Sequence, residues 1–292
     1  MLDLSYFQNS GNVNTQTFTN AGSWVTWVKP RGAKFVNILC IGSGAGGCGA
    51  ATGSSARGVG GAGGGAGGIV RAQFQASILP DLLYVYTGVG GSGSLASATS
   101  TFNSASNGEK SYVCIIPDTS SAANIVVTSG NVSARGPVSN TNLSGETIAT
   151  TANAIFLNLG TFIAVAGGNG NGGGSTTVGG GITVSQTTTS GAGGSGASTA
   201  GGLAAAGFIP SLAGFTSAGA GVAGRNGYDG LMFTKPVLQF IGGTAGQSGG
   251  TTGGNGGNGS YGCGGAGGSG GVTAGGNGGR GGDGIIIITT SF

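Results

Sequence analysis

Residues 253–290 read GGNGGNGSYGCGGAGGSGGVTAGGNGGRGGDGIIIITT. Glycine occupies every third position at Gly253, Gly256, Gly259, Gly262, Gly265, Gly268 and Gly271. The phase then slips, and the repeat resumes as Ala274-Gly-Gly, Asn277-Gly-Gly, Arg280-Gly-Gly and Asp283-Gly. A period of three matches neither an α-helix nor a strand. It is the repeat of a polyproline-II-type helix, which has no internal hydrogen bonds. Collagen shares the period but needs abundant proline, and the main glycine blocks here contain none. Buried backbone must find partners, so the period predicts polyglycine-II-type helices bonded to one another in a bundle. Non-glycine residues of one phase then form an edge. Asn255, Asn258 and Tyr261 share one such edge, and Asn277, Arg280 and Asp283 another. These edges are expected to face outward or toward a flanking layer.

The block ends on Ile285, Ile286, Ile287 and Ile288. Successive β-branched residues with nothing polar between them predict a central strand buried on both faces. Residues 34–41 (KFVNILCI) predict a second strand of this kind, leading into the first glycine block at 42–68. Further strands are expected at 14–19, 23–29, 69–79, 82–87, 111–116, 125–128 and 161–166, with turns at Ala21-Gly22, Pro30-Arg31-Gly32 and Pro80-Asp81. Residues 149–159 fit a strand or a short helix. Glycine blocks also fill 167–181 and 191–207, whereas 95–165 is rich in Ser, Thr, Asn and Ala. The fold class is therefore all-β with a glycine-rich polyglycine-II-type bundle and little or no α-helix. It is read as one domain over 1–292, with a Ser/Thr/Asn-rich insertion as an option at 95–165.

Composition narrows function. The 292 residues include 72 glycines, ten Lys or Arg, seven Asp or Glu, and no histidine. No histidine-dependent triad, histidine metal site or imidazole acid–base pair can form. A net charge of +3 with no run of cations is too thin for a nucleic-acid footprint. No apolar stretch is long enough for a membrane span, so no nucleic acid and no membrane insertion are expected. The start at Met1 lacks a signal-peptide pattern, and synthesis in a cytosol is expected. Disorder normally accompanies low hydrophobicity and high net charge; here 38% of residues are apolar, so an ordered, tightly packed object is expected. Ordering 72 glycines is costly, at about 0.5–1 kcal/mol each relative to alanine. Dense bonding between helices, β-layers and oligomerisation are expected to offset it.

Several motifs resemble catalytic signatures through glycine abundance alone. Gly42-Ser-Gly44-Ala-Gly-Gly47 has the spacing of a dinucleotide fingerprint, but glycine follows instead of a helix, and no acidic residue lies between Asp3 and Asp81. The pattern G-x-S-x-G occurs at 246–250 and 267–271 without a histidine to serve it. One Arg280-Gly-Gly is too little for an RNA-binding segment. Asn131, Asn142 and Asn258 head chance glycosylation sequons. Cys40, Cys48, Cys114 and Cys263 form no C-x-x-C pair and read as buried free thiols, with disulfide and metal readings weaker. Of Trp24 and Trp27, one is expected in the core and the other at an interface, with ligand stacking the lesser option; Tyr84, Tyr86 and Tyr228 are read the same way. No catalytic, cofactor-binding or metal-binding residue is assigned, and no cofactor is expected.

The order of the pieces carries a resemblance. Thr17-Phe-Thr-x-x-Gly-Ser-Trp-x-x-Trp-Val-x-Pro-x-Gly leads to Phe35-Val-x-Ile-Leu-Cys-Ile-Gly-x-Gly-Ala-Gly-Gly, then Tyr86-Thr-Gly-Val-Gly-Gly. The end is Gly278-Gly-Arg-Gly-Gly-Asp-Gly followed by the isoleucine strand. This arrangement, over about 1–103 and 242–292, resembles glycine-rich bacteriophage virion proteins. The resemblance implies a non-enzymatic structural protein located in the virion: a tail or head fibre, a tip adhesin or a capsid decoration subunit. It implies contacts with other capsid or tail proteins, a homo-oligomer such as a trimer, and a host surface receptor if the chain is an adhesin. The alternative from another class is a polyglycine-helix ice-binding, antifreeze-like protein.

Overall fold

The computed structural model describes residues 13–52, 59–98, 103–129, 154–168, 170, 224–233, 238–247 and 251–292. The strands are β1 (Val13–Phe18), β2 (Trp24–Val28), β3 (Phe35–Ile41), β4 (Ile69–Gln75), β5 (Leu82–Tyr86), β6 (Tyr112–Cys114), β7 (Ile125–Thr128), β8 (Gly160–Val165), β9 (Met232–Phe233), β10 (Gln239–Phe240) and β11 (Ile285–Ser291). One short helix, α1 (Ala154–Leu159), precedes β8. The fold is mostly β, with very little helix. The ambiguous segment 149–159 thus resolves as helix from Ala154 onward, and its first residues lie outside the described set.

A five-stranded antiparallel sheet has the order β1-β11-β3-β4-β8, and a four-stranded one has the order β2-β5-β6-β7. The two pack face to face. Val36, Ile38, Cys40, Val70, Phe74, Ile286 and Ile288 from the first sheet meet Trp27, Leu83, Val85, Val113 and Val127 from the second. The opposite face of the five-stranded sheet is also covered: Leu39, Ile41, Ile69 and Ile285 pack with Phe240 and Cys263. The four isoleucines of β11 therefore divide between two cores, Ile286 and Ile288 on one side, Ile285 and Ile287 on the other. This is why that strand has no polar alternation.

Strands β6, β7 and β8 come from the segment 95–165 and complete both sheets. Strand β4 stops at Gln75, four residues short of the run expected from sequence, because Ala76–Ile78 forms a 3-10 turn. The Lys29 ammonium closes that turn by donating to the carbonyls of Ala76 and Leu79.

Each sheet then runs directly into glycine. In β3 and β4, Phe35 pairs with Gln75 and Ile41 with Ile69. Beyond the strands, Gly42 N–H donates to Gly68 O, Ala45 to Gly65, Cys48 to Ala62 and Ala51 to Val59. The pairing continues without a slip, but its bonds now recur every three residues. The same holds where β11 and β3 give way to 274–284 and 42–51: Gly44 donates to Gly282, Gly47 to Gly279 and Ala50 to Gly276. These glycine-rich segments, here called rods, are neither helix nor strand.

Removal of side chains changes the third dimension. Packed sheets stand roughly 10 Å apart because side chains fill the space between them. Beyond Ile41 that space closes, and the two layers bond backbone to backbone. Gly91 N–H donates to Gly44 O, Ser94 to Gly47, Gly278 to Ser94 and Gly281 to Gly91. A second tier continues outward through rods 262–270, 253–260, 241–247 and 224–231. Ala266 donates to Gly257, Gly256 to Asn277, Gly257 to Thr244 and Gly227 to Asn255. The β-sandwich thus becomes a hydrogen-bonded lattice at the point where the sequence turns to glycine.

Each rod places glycine in the phases that face neighbours. A Cβ at Gly264 or Gly267 would collide with the carbonyls of Gly64 or Gly61, and one at Gly265 or Gly268 with those of Gly279 or Gly276. The third phase of that inner rod is Cys263, Ala266 and Ser269, all small and fully buried. In rods 224–231, 253–260 and 274–284 the third phase is polar and turns outward, whereas Ile241, Thr244 and Gln247 of rod 241–247 are buried.

Candidate functional site

The outward phase is also structural. Asn226 Oδ1 accepts from the Asn255 N–H at 2.9 Å, Asn255 Oδ1 from Asn277 N–H at 2.8 Å, and Asn277 Oδ1 from Ala96 N–H at 2.8 Å. One turn along, Asp229 Oδ1 accepts from Asn258 N–H and Asn258 Oδ1 from Arg280 N–H. Asp283 Oδ1 accepts from Gly90 N–H and pairs with the Arg280 guanidinium. Each side-chain oxygen satisfies the amide that the rod's own phase would leave to water. Asn and Asp at these positions seal seams between rods, while the Arg280 guanidinium pairs with Asp283 of its own rod.

Catalytic look-alikes fall inside this framework. Gly42 to Gly47 is fully buried in a rod, with no helix after it. The Ser269 hydroxyl donates to Gly254 O and accepts from Gly254 N–H. The other G-x-S-x-G serine, Ser248, lies outside the described residues, as do Asn131 and Asn142. Cys40, Cys48, Cys114 and Cys263 are all buried, and none is in a disulfide. Burial pushes the Cys40 and Cys114 thiols up to about 12, and raises that of Cys48. The described residues contain no cluster of acidic or thiol side chains able to hold a metal ion. No helix among them is long and apolar enough to cross a membrane.

A feature with the character of a ligand site lies on the outer face of the four-stranded sheet. Register places Trp24 opposite Tyr86 and Tyr86 opposite Tyr112, so three aromatic rings form a row across β2, β5 and β6. The ring centroids are 5.2 Å apart for Trp24–Tyr86 and 6.3 Å for Tyr86–Tyr112, tilted by 48° and 54°. All three rings are half-buried. They line a cleft of about 600 Å³ together with Asn107, Gly108, Glu109, Lys110 and Thr119.

The row is held from one side. Glu109 Oε2 accepts from the Tyr86 hydroxyl at 2.9 Å and from Val89 N–H at 3.1 Å. Burial, followed by this carboxylate, pushes the Tyr86 phenol up to about 12. Burial raises Tyr112 as well. The rod containing Glu109 is itself fixed, since Ser43 N–H and hydroxyl both donate to Glu109 O.

Trp27 is the core tryptophan, 1% exposed, and Trp24 is the outward one. Tyr84 is half-buried on the same outer face as Tyr86, and Tyr228 is exposed beside the outer rods. Sequence reading singled out Trp24 and Tyr86 but not Tyr112, Glu109 or Lys110. Strands β5 and β6 are separated by rods instead of a tight turn, so nothing local fixes which residue of β6 stands beside Tyr86. No protein-family model matches the chain, and no curated protein matches it.

Proposed function

We propose that the chain is a non-enzymatic structural subunit of a bacteriophage virion, a fibre or adhesin subunit or a capsid decoration subunit, acting through protein–protein or receptor contacts. One observation carries the reading. The described residues of the two portions bearing the resemblance, about 1–103 and 242–292, are joined in one continuous lattice, with β11 between β1 and β3 and rod 274–284 bonded to rods 42–51 and 88–97. A chain whose ends lock together in this way, with backbone bonds in every direction, suits a load-bearing block outside the cell. Exposed Ile155 and Ile163, on α1 and the edge strand β8, favour a further subunit against that edge.

Ice binding finds less support. The outward phase offers Asn and Asp engaged in seams, and an Arg280 paired with Asp283, where an ice face calls for a flat array of small residues. The decisive experiment is mass spectrometry and immunogold labelling of purified virions from a phage that encodes the chain. Stoichiometric presence on tail or capsid is expected. Absence from virions, or thermal hysteresis by the purified protein, overturns the proposal.

A further inference from the structure

We propose that the Trp24–Tyr86–Tyr112 row binds a neutral pyranose saccharide. The inference stands on the cleft alone and does not depend on the virion reading. Sugar rings present apolar C–H faces that pack on aromatic rings, and equatorial hydroxyls that need hydrogen-bond partners at the rim. The cleft offers both. Its floor is three rings from three adjacent strands, and its volume, about 600 Å³, lies within the usual range for a small-molecule site. Its rim carries the Asn107 amide, the Glu109 carboxylate, the Lys110 ammonium and the Thr119 hydroxyl.

The site is preorganised. Glu109 fixes the central ring through the Tyr86 hydroxyl, and a rigid strand carries each aromatic, so little ordering remains to be done on binding. Trp24, Tyr112 and Lys110 all line the cleft, and among the described residues Trp24 Nε1, the Tyr112 hydroxyl and Lys110 Nζ make no hydrogen bond to protein, which leaves them available as donors. Charge selects the ligand class. One carboxylate and one ammonium stand side by side in sequence at Glu109 and Lys110, giving no net field for a phosphate or a nucleotide. Tilts of 48° and 54° between neighbouring rings make a curved floor. That shape suits a puckered ring better than a flat base.

The experiment uses the full chain and a panel of glucose-, galactose- and N-acetylglucosamine-terminated oligosaccharides, with AMP as the aromatic, charged comparison. Calorimetry measures affinity, and tryptophan fluorescence reports on the site. The chain has two tryptophans, and Trp27 is buried, so a saturable spectral change reports on Trp24. At least one saccharide is expected to bind with that change, and AMP is not. Tyr112→Ala and Trp24→Ala are expected to weaken binding about tenfold each by calorimetry. Lys110→Ala, a surface change that leaves the rings in place, is expected to weaken it less. Thermal unfolding of each variant establishes that it is folded. Failure of every saccharide to bind at millimolar concentration, binding indifferent to Tyr112→Ala and Lys110→Ala in folded protein, or preference for AMP overturns the proposal.

Discussion

The Ser111 hydroxyl donates to the Ile41 carbonyl at 2.8 Å and joins the two sheets at the level where their side-chain core ends. The same oxygen accepts from the Gly88 N–H at 3.1 Å. The Ser111 amide is in turn taken by the Ser129 hydroxyl, and its carbonyl by Cys40 Sγ. A serine is the right size for this level: large enough to bridge layers still parting toward the hydrophobic core, small enough to let the glycine lattice begin beside it.

Ser111→Ala is expected to destabilise the protein by about 1–3 kcal/mol. It leaves the buried Gly88 N–H without its acceptor, and a buried unsatisfied donor costs about that much. Denaturant unfolding checks the value. An unchanged midpoint would mean that the seam relaxes or admits water.

Glycine inside the lattice is fixed by space. Gly265→Ala drives a methyl group into the Gly279 carbonyl of the facing rod. Neither rod can retreat without breaking its other bonds, so a loss of about 3 kcal/mol or more is expected, at or beyond the upper range for overpacking. Ala266→Gly, one residue on, removes a buried methyl that fits, and costs about 1 kcal/mol through backbone entropy and lost packing. Thermal melts of the two variants, side by side, distinguish a phase-specific lattice from a loosely packed glycine segment.

Period three was legible in residues 253–284, and with it the need for partner rods. The strands flanking the glycine were legible too, because Ile285–Ile288 are apolar throughout and 34–41 is nearly so. What sequence withholds is the partner of each rod. Every glycine presents the same surface, so nothing in Gly265 itself points to Gly279 and not to another glycine. The strands supply the missing information: Ile41 opposite Ile69 and Ile285 opposite Ile41 fix the register that the rods then inherit. The aromatic row was hidden for a related reason. Trp24 and Tyr86 come from recognisable strands, but Tyr112 reaches them only after two rods have folded against each other.

Buried thiols make stability sensitive to alkali. Cys40 and Cys114 rise from an ordinary 9.0 to about 12 in the folded protein. The folded state therefore holds its thiol protons where the unfolded chain releases them. The associated stability is complete below about pH 9 and is lost progressively as pH climbs from 9 toward 12. Tyr86 adds to the loss in the upper part of that window, since its phenol rises from 10.0 to about 12. With no histidine in the chain, no comparable step is expected between pH 6 and 8. Thermal midpoints across pH 6–11 check both statements. Native protein at pH 8 is also expected to leave all four cysteines unreacted with a thiol-specific reagent, and the denatured protein to yield four.

Hydrogen exchange gives the most direct reading of the lattice. In rod 253–260, Gly253, Gly256 and Gly259 donate to rod 274–284, and Gly254 and Gly257 to rod 241–247. Asn255 and Asn258 donate to the side chains of Asn226 and Asp229 at the exposed edge. Protection should therefore repeat in threes, with two slow amides and one faster. An edge strand would alternate in twos, and an unstructured glycine segment would exchange fast throughout. The edge amides also provide a mutational check: Asn255→Ala removes the acceptor of the Asn277 N–H. The Asn277 amide should then exchange faster, by roughly fivefold for a bond worth about 1 kcal/mol, while Gly276 and Gly279 on the inner faces keep their protection through Ser269 and Ala266. Uniformly fast exchange over residues 253–284 would refute the packed lattice. Acceleration of Asn277, Gly276 and Gly279 together in Asn255→Ala would show that the seam holds the rods themselves in place, beyond sealing one amide.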